Sequence, residues 1–598
     1  MSFTKAALYT ANPTTTRGVS TKLSATKEKI VYTNGKAVFI RDISNPGLGV
    51  AYTGHVQNTT VARASPTGYY VASADVTGTV RVWDTVGEDQ SLKGEYKVIS
   101  GRINDLEWDG ESKRIIAVGD GREKFGHAFM FDTGTSTGEI IGHSKAINAV
   151  AIRHQRPFRA ATAADDNLIV FHQGAPYKYD KTIKTHTKFV QDLRYAASGD
   201  HFASVGSDGK IFLYDGKTGD TLGDFAEGHK GTAYGVSWSL DGKHISTASA
   251  DATVKLWDVE TKKATTVYTL GSGVDYQQVG IVWSAPDTIV SVATSGDLNV
   301  FDRRTGDKPA KILLGPQRSV TAATTVDLET FFVGTADGRI LSYDAGGDSS
   351  YLEGRGHSNL VAALAASPEG KIFSVGYDDR VRELDGKSFT PAEFSTSAQP
   401  KGLAVASDGT VLVGEGSVTE AVRANQKVAE LKAKSPVSAI AATGSLVAIG
   451  SEDTKVRLYD WDGKAFKEVA TLDGNKGTVS ALAFSPDGTK LAAGDSSGKV
   501  VLYDAKEYKS ITSRWSFHSA RVNTLSWTAD SKHCASGALD THVYVWSVDK
   551  PMKNIAIKNA VSGGVNAVFW LKQGGGKGRL VGTGADASVR VWEVTFHA

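Results

Sequence analysis

The chain alternates short apolar and β-branched runs with polar turns rich in Gly, Asp and Ser. In the segment 237–261, SWSLDGKHISTASADATVKLWDVET, three such runs are separated by a polar turn and then by a tight turn. Runs of this length predict β-strands, and turns with Asp-Gly predict hairpins because Gly adopts positive φ. The pattern therefore predicts an all-β fold of antiparallel strands.

This strand pattern repeats along the chain, with similar segments at 194–218, 483–507 and 526–550. With the end of the third strand as a marker, 14 units end between Arg41 and Trp592, about 42 residues apart. A period of about 40 to 45 residues that ends in Trp-Asp resembles the four-stranded blades of WD-repeat propellers. Because one ring holds about four to eight blades, the 14 units predict two tandem seven-bladed propellers.

The two rings are expected to divide near Gly315-Pro316, into an N-terminal propeller over 14–315 and a C-terminal propeller over 316–598. Only six residues follow Trp592, too few for another outer strand. Residues 4–12 are strand-like, and we predict that they add the outer strand of the last blade. This pairing would close the second ring and remove its exposed edge.

In the WD-repeat family, a buried tetrad stabilises each blade: a His before the first strand, a Ser or Thr on the second, an Asp in the next turn and a Trp on the third. By this resemblance, the tetrads here are His229, Thr247, Asp251 and Trp257; His518, Ser536, Asp540 and Trp546; and, with Tyr replacing Trp, His186, Ser204, Asp208 and Tyr214. Buried polar groups need partners, so each tetrad is expected to be hydrogen-bonded. In the second unit Thr77 stands where the acid is expected, and units 1, 10, 11 and 12 barely keep the pattern.

Composition and charge exclude several classes of partner. The chain has 67 Lys and Arg against 65 Asp and Glu, a net charge of +2, and no basic run of five residues. Nucleic acid and anionic membranes are therefore not expected partners, because they require concentrated positive charge. No apolar stretch approaches the roughly 18 residues of a membrane span. A weak N-terminal apolar stretch and the single Cys534 favour the reducing cytoplasm.

For each candidate catalytic motif, a structural role of the same residues is the better explanation. The segment from Gly494 to Lys499 lacks the spacing and the Ser or Thr of a phosphate loop. Most of the 14 His residues occur singly, several at tetrad positions, which favours structural roles over metal ligation. We therefore expect no enzyme activity, no cofactor and no metal. Function is expected on the surface, where a blade departs from its own repeat.

Two neighbouring units depart most from the repeat. In unit 3 the turn between the second and third strands is enlarged over 119–126, and it carries Arg122, Glu123, Lys124 and Phe125. A solvated loop with Phe125 turned inward is the alternative. In unit 4, Asp166 takes the tetrad position and leaves Asp165 spare, while period two places Tyr177 and Tyr179 on one face of the outer strand. Acid, base and exposed aromatic side chains together are typical of a protein-binding hot spot.

The 14 WD units without another domain, the REKFG loop, and the ADDN turn followed by PYKY resemble the actin-interacting protein 1 family. The resemblance implies a cytoplasmic protein of cortical actin structures that binds cofilin-decorated actin filaments, promotes their severing and disassembly, and caps barbed ends. By motif, the family's functional Glu, Asp and aromatic fall on Glu123, Asp165 and Tyr179, where some members have Phe at the last position. Actin filaments and cofilin (ADF) are the expected partners, and we expect a monomer. A generic WD-repeat scaffold for another multiprotein complex is the alternative.

Overall fold

The structure is a computed structural model that describes residues 2–26, 28–87 and 89–596. These residues form 56 strands, numbered here in chain order, and one short 3-10 helix at Val274–Tyr276. The strands make 14 antiparallel sheets of four strands each. The predicted all-β fold with 14 blades is therefore confirmed.

The chain divides into two compact units of seven blades each. The N-terminal propeller contains Asn12–Asn45 and Gly49–Gln317, and the C-terminal propeller contains Met1–Ala11, Pro46–Leu48 and Arg318–Ala598. Two seven-bladed propellers are thus present, as the repeat predicts. The boundaries 14–315 and 316–598 stay a prediction.

The strands of the N-terminal propeller follow chain order within each blade. They are, in blade 1 (β2–β5), Ser24–Thr26, Lys29–Asn34, Ala37–Asp42 and Val50–Tyr52; in blade 2 (β6–β9), Thr59–Ala64, Tyr70–Asp75, Thr79–Asp84 and Leu92–Lys97; in blade 3 (β10–β13), Gly101–Trp108, Arg114–Gly121, Gly126–Met130 and Ser136–Glu139; in blade 4 (β14–β17), Ile147–Ile152, Arg159–Ala164, Ile169–Gln173 and Lys178–Ile183; in blade 5 (β18–β21), Val190–Tyr195, His201–Gly206, Ile211–Asp215 and Thr221–Asp224; in blade 6 (β22–β25), Ala233–Trp238, His244–Ser249, Thr253–Asp258 and Lys263–Thr269; and in blade 7 (β26–β29), Gln278–Ala285, Thr288–Ala293, Leu298–Asp302 and Lys311–Leu313.

The C-terminal propeller follows the same order except in its last blade. Its strands are, in blade 8 (β30–β33), Val320–Thr325, Phe331–Thr335, Ile340–Tyr343 and Ser349–Tyr351; in blade 9 (β34–β37), Val361–Ala366, Ile372–Gly376, Arg380–Asp385 and Ser388–Ser395; in blade 10 (β38–β41), Pro400–Val405, Val411–Glu415, Val418–Arg423 and Gln426–Lys432; in blade 11 (β42–β45), Val437–Thr443, Leu446–Ser451, Val456–Trp461 and Phe466–Leu472; in blade 12 (β46–β49), Val479–Phe484, Lys490–Asp495, Val500–Asp504 and Lys509–Trp515; in blade 13 (β50–β53), Val522–Trp527, His533–Ala538, Val543–Ser547 and Asn554–Ile557; and in blade 14 (β54–β56 with β1), Val565–Gly574, Lys577–Gly584, Val589–Thr595 and Ser2–Tyr9.

The last blade takes its outer strand from the other end of the chain. Strand β1 pairs antiparallel with β56, from Ser2 opposite Thr595 to Tyr9 opposite Val589. The strand ends at Tyr9, before the end of the 4–12 segment considered above, because Asn12 belongs to the N-terminal propeller. Within that propeller, Asn12 Nδ2 donates to Leu313 O at 3.2 Å.

Side-chain hydrogen bonds link the inner strands of the C-terminal propeller. In each, the second residue of one inner strand donates to the backbone carbonyl of the first residue in the next: Thr321 to Val361 (2.6 Å), Ser438 to Val479 (2.5 Å), Ser480 to Val522 (2.6 Å), Asn523 to Val565 (2.9 Å) and Asn566 to Val320 (2.7 Å). The last of these bonds joins blade 14 to blade 8 and therefore closes the ring.

The centre of the N-terminal propeller also holds a buried network of charges. Arg63 Nη2 and Arg194 Nη2 bind the two carboxylate oxygens of Asp105, at 3.0 and 2.8 Å. Arg194 Nη2 and Lys22 Nζ both contact Asp192 Oδ1, at 2.9 and 2.8 Å. Burial alone would raise the pKa of Asp105, but Arg194 and Arg63 lower it to about 2. These ion pairs connect blades 2, 3 and 5 with the segment that leads into blade 1.

The structure brings together the residues of the three tetrads named above. In blade 6, His229 lies 3.0 Å from Asp251 and 2.7 Å from Thr247 Oγ1, which accepts from Trp257 Nε1 at 2.9 Å. In blade 13, His518 lies 3.0 Å from Asp540 and 2.8 Å from Ser536, which accepts from Trp546 at 2.7 Å. In blade 5, His186 lies 3.0 Å from Asp208 and 2.8 Å from Ser204, whose hydroxyl lies 3.0 Å from that of Tyr214. Each histidine thus connects the segment before its blade to the next tight turn.

The expectation that blade 2 lacks the tetrad acid because Thr77 replaces it is wrong. Asp75, two residues earlier, places Oδ2 3.4 Å from His55 Nδ1, and its Oδ1 accepts from the backbone N–H of Thr77 at 2.8 Å. His55 also contacts Ser73, which accepts from Trp83. The last residue of the second strand can therefore supply the carboxylate that usually comes from the turn.

Blade 12 uses the same alternative position. Asp495, the last residue of the second strand, accepts from Asn475 Nδ2 at 3.3 Å, and Tyr503 OH donates to Asn475 Oδ1 at 3.0 Å. An Asn thus occupies the place of the histidine. Blade 12 keeps a polar network that the sequence pattern barely indicates.

Removal of residues 1–9 should destabilise the C-terminal propeller more than the N-terminal one. The truncation exposes the backbone edge of β56 but retains Asn12, which binds within the other ring. Limited proteolysis with mass spectrometry should show earlier cleavage in residues 318–596. Equal acceleration of cleavage in both rings would contradict this account of closure.

Asp251→Ala should lower the free energy of unfolding by about 1 to 3 kcal/mol, because it leaves buried donors unpaired. Burial alone would raise the pKa of Asp251, but hydrogen bonds from His229 and Thr253 outweigh it and hold the pKa below its ordinary value. The carboxylate's contribution is therefore present above about pH 4 and declines as the pH falls. Calorimetry from pH 3 to 7 measures both effects, and a variant as stable as the parent at pH 7 would rule out this role.

Candidate functional site

The unit 3 turn is shorter than its sequence suggests. Strand β11 continues through Gly121 and β12 begins at Gly126, so the turn contains only residues 122–125. Gly119 N donates to Phe125 O at 2.8 Å, which holds the base of the turn. The side chains of Arg122, Glu123 and Lys124 are exposed. The turn therefore presents two cations and one carboxylate to solvent from a firmly bonded base.

Phe125 turns inward, as the alternative reading of this loop has it. Its side chain is partly buried and packs on an apolar cluster between blades 3 and 4 that contains Ile140, Val150 and Tyr177. Phe125 thus anchors the turn, and the three charged residues before it remain outside. A partner would meet the charges of this turn rather than its phenyl ring.

Tyr177 is buried, so its predicted place on the same exposed face as Tyr179 is wrong. Its side chain is 1% exposed, and its backbone N–H donates to Thr137 O in blade 3 at 2.7 Å. Period two does not apply because β17 begins only at Lys178 and Tyr177 still belongs to the preceding turn. Burial raises the pKa of the Tyr177 phenol. Tyr177 therefore joins blades 3 and 4 and does not meet a partner.

Tyr179 is exposed at the outer edge of blade 4, with 46% of its surface accessible. Its hydroxyl lies 3.0 Å from Thr182 Oγ1. The ring passes so close to Gly142 that a Cβ there would lie 2.9 Å from Tyr179 Cδ2. Gly142 immediately precedes His143, whose Nδ1 lies 3.1 Å from Asp166. The aromatic ring therefore points along the blade toward the turn that carries Asp165 and Asp166.

Asp165 is not spare, because Asn148 Nδ2 donates to its Oδ1 at 2.7 Å. The same Asn148 nitrogen donates to Val190 O of blade 5 at 3.0 Å. Asp166 contacts His143 and also accepts from the backbone N–H of Ser144 at 2.9 Å. Asp165 is therefore a partly exposed carboxylate held in position by the link between blades 4 and 5.

The exposed members of this region are named here the blade 3–4 surface: Arg122, Glu123, Lys124, Asp165 and Tyr179. Glu123 and Asp165 both lie in turns between the second and third strands, at the same end of adjacent blades. Tyr179 starts nearer the opposite end of blade 4, and its ring extends back along the sheet. The structure therefore places two acids at the same end of adjacent blades and an exposed aromatic ring on the outer strand of blade 4.

Two exposed apolar residues next to this surface were not identified from the sequence. Ile141 is 56% exposed in the segment before blade 4, and Phe189 is 46% exposed in the segment before blade 5. Lys145 Nζ lies 5.9 Å from the centroid of the Phe189 ring. For Phe189 the available signal was a large apolar residue between a tetrad histidine and the first strand, in His186-Thr187-Lys188-Phe189.

In the described residues, no group of three or more His, Cys, Asp or Glu side chains could hold a metal ion. No helix in the same residues is long and apolar enough to cross a membrane. A cleft of about 260 Å³ lies between blades 9 and 10, and its lining includes the ion pair Lys371–Glu383 at 3.0 Å.

Comparisons with known proteins agree with this architecture. A family model described as WD domain, G-beta repeat matches residues 48–84, 177–215 and 219–258, and one described as Vps8 beta-propeller matches 424–569. Actin-interacting protein 1 of Drosophila melanogaster is 38% identical over 98% of this chain and 97% of its own length. Actin-interacting protein 1 of Caenorhabditis elegans is 36% identical over 99% and 100%, and WD repeat-containing protein 1 of Gallus gallus is 36% identical over 99% and 98%. The chain therefore belongs to the actin-interacting protein 1 family of WD-repeat proteins.

Proposed function

We propose that this protein binds actin filaments together with cofilin (ADF), promotes their severing and disassembly, and caps barbed ends. The proposal is supported by similarity over nearly the whole chain to relatives named for interaction with actin. The observation that carries it to particular residues is the anchored, exposed position of Glu123 beside the turn that holds Asp165. The protein acts as a cytoplasmic monomer at cortical actin structures and is not an enzyme.

The blade 3–4 surface fits a protein partner in both chemistry and rigidity. It combines two acids, two cations and a half-exposed aromatic ring, a composition found at binding hot spots. Phe125 and Tyr177 pack beneath it, and Asn148 fixes Asp165. Because these supports are already ordered before binding, less conformational entropy is lost when a partner docks.

Tyr179 suits a rim position better than a dry pocket. Its hydroxyl already contacts Thr182 at 3.0 Å, so the ring can bind a partner through its apolar edge without leaving that hydroxyl unpaired. A Phe at this position would present the same edge. The aromatic ring, rather than the hydroxyl, is therefore the proposed contact.

Disassembly by this route needs no covalent chemistry. A protein that prefers the cofilin-decorated or broken filament over the intact filament shifts the equilibrium toward fragments. The shift cannot exceed the difference between the two binding free energies. The activity therefore depends on how well the surface distinguishes the two filament states.

Cosedimentation tests the proposed partners directly. The full-length protein should pellet with actin filaments more strongly when cofilin is present, and it should increase the actin left in the supernatant. Binding should weaken as salt rises, because exposed charges are screened over about 8 to 10 Å at physiological ionic strength. Failure to pellet with filaments, with or without cofilin, would instead favour a scaffold role in another complex.

Glu123→Gln and Asp165→Asn should each abolish most of the cofilin-dependent disassembly, and the double variant should be little worse than either. Both changes remove charge and retain shape, and the amide oxygen introduced at position 165 can still accept from Asn148. Substitutions in one contiguous contact surface are expected to be non-additive. Fluorescence microscopy of filaments at fixed cofilin measures the rates.

The matched control is Glu260→Gln, which removes an exposed carboxylate from the opposite end of blade 6. It should leave disassembly unchanged, and all variants should melt within a few degrees of the parent protein. Full activity of the double variant would place the working surface elsewhere. Strong disassembly without cofilin would contradict the proposed partnership.

A further inference from the structure

Blade 10 contains two carboxyl groups that are completely buried. Glu415 is the last residue of β39 and Glu420 lies in the middle of β40, and both are 0% exposed. The two strands are adjacent, with Glu415 opposite Val418 and Val413 opposite Glu420. Glu415 and Glu420 therefore lie on the same face of the sheet as diagonal neighbours across the strand pair.

The other partners satisfy only one oxygen of each group. Glu415 Oε2 accepts from the backbone N–H of Ala398 at 2.7 Å. Glu420 Oε1 accepts from Ser397 Oγ and from Lys427 Nζ, the latter at 3.2 Å. Glu415 Oε1 and Glu420 Oε2 are buried without another donor. Ionisation of two adjacent buried carboxyl groups has a high free energy. One proton between them would satisfy both remaining oxygens.

The position of the pair explains why blade 10 differs from the other blades. Glu415 ends its second strand, as Asp75 and Asp495 end theirs, so it occupies the alternative position of the tetrad acid. Ser397 takes the place of His55 and Asn475 in the segment before the blade. The hydroxyl of Ser397 binds Glu420 and leaves Glu415 without a side-chain donor from that segment. A proton on Glu415 would take the place of this missing donor.

The charged groups around the pair are few. Strand β41 carries Lys427, Glu430 and Lys432, and β38 carries Lys401. Lys427 Nζ also binds Glu430 Oε2 at 2.9 Å, so its charge is divided between two carboxylates. The packed strands β34, β35 and β42 have the sequences VAALAA, IFSVG and VSAIAAT and carry no charge. Among the described residues, Lys427 is therefore the only cation in contact with the pair, through Glu420.

We infer that Glu415 and Glu420 share one proton, and that opening of blade 10 at the connection 396–399 releases it, so that a rise in pH favours the open state. This connection covers the pair, and Ser397, Ala398 and Gln399 are exposed at the surface. When both groups are ionised, they repel each other and attract water. The connection, which binds the pair through Ser397 Oγ and the backbone N–H of Ala398, can then open.

The direction of the effect follows from the pKa of Glu415. Burial, and then the adjacent Glu420, raise this pKa from 4.5 to about 8. A carboxyl group whose pKa is raised on folding contributes stability that is fully present below its pKa in the unfolded chain. This contribution is lost as the pH rises through its pKa in the folded protein. The contribution of the pair therefore declines between about pH 4.5 and 8.

Hydrogen exchange of the full-length protein, corrected for the intrinsic pH dependence of exchange, tests the inference. Between pH 5.5 and 7.5 the opening constant of amides in residues 396–432 should rise by up to about tenfold per pH unit. Glu415→Gln should remove this dependence, because its amide can donate to Glu420 and cannot titrate. Amides of blade 13, which has a complete tetrad, should not show the rise.

Two further variants keep the test decisive. Glu452→Gln removes an exposed carboxylate from the neighbouring blade 11 and should keep the pH response. Glu420→Gln removes the repulsion but not the burial, so the pKa of Glu415 falls and the response should weaken, even if Glu415→Gln does not fold. An unchanged response in Glu420→Gln, or no response in the parent protein, would overturn the inference.

Discussion

Both propellers depend on the contact between their first and last blades. A single four-stranded blade leaves apolar residues on both faces, and the ring buries them only when every blade has a neighbour on each side. In the C-terminal propeller, Asn566 provides this contact through its bond to Val320 O, and β1 covers the outer edge of β56. In the N-terminal propeller, Thr21 N bonds to Val279 O at 2.7 Å. Closure allows each ring to present rigid turns at its rims.

Within this frame, a blade needs a carboxylate near the start of its third strand more than it needs a particular sequence position. Asp251 supplies it from the tight turn, whereas Asp75 and Asp495 supply it from the end of the second strand. Both positions reach the segment before the blade. Blade 10 extends the series with Glu415, where the missing histidine leaves a second acid and a proton to complete the network.

The fold could be predicted because a period of about 42 residues is a local property that survives when individual motif residues change. The site could be predicted only in part. Glu123 and Tyr179 are exposed as their positions suggest. Tyr177 is buried, because its backbone N–H bonds to Thr137 O in the preceding blade and its ring packs between the two blades. Asp165 looks unpaired in the sequence because Asn148 lies 17 residues away. Contacts of this kind depend on packing between sheets, which period and motif do not report.

The buried residues of blades 3 and 4 determine what the exposed ones can do. Phe125 and Tyr177 enter the same apolar cluster, which packs the charged turn of blade 3 against the turn before the outer strand of blade 4. Asn148 ties Asp165 to blade 5, and the ring of Tyr179 rests against Gly142. A partner therefore meets charges whose spacing is already set. Under the proposed function, such a surface would distinguish two filament states by geometry, because it cannot adapt to both.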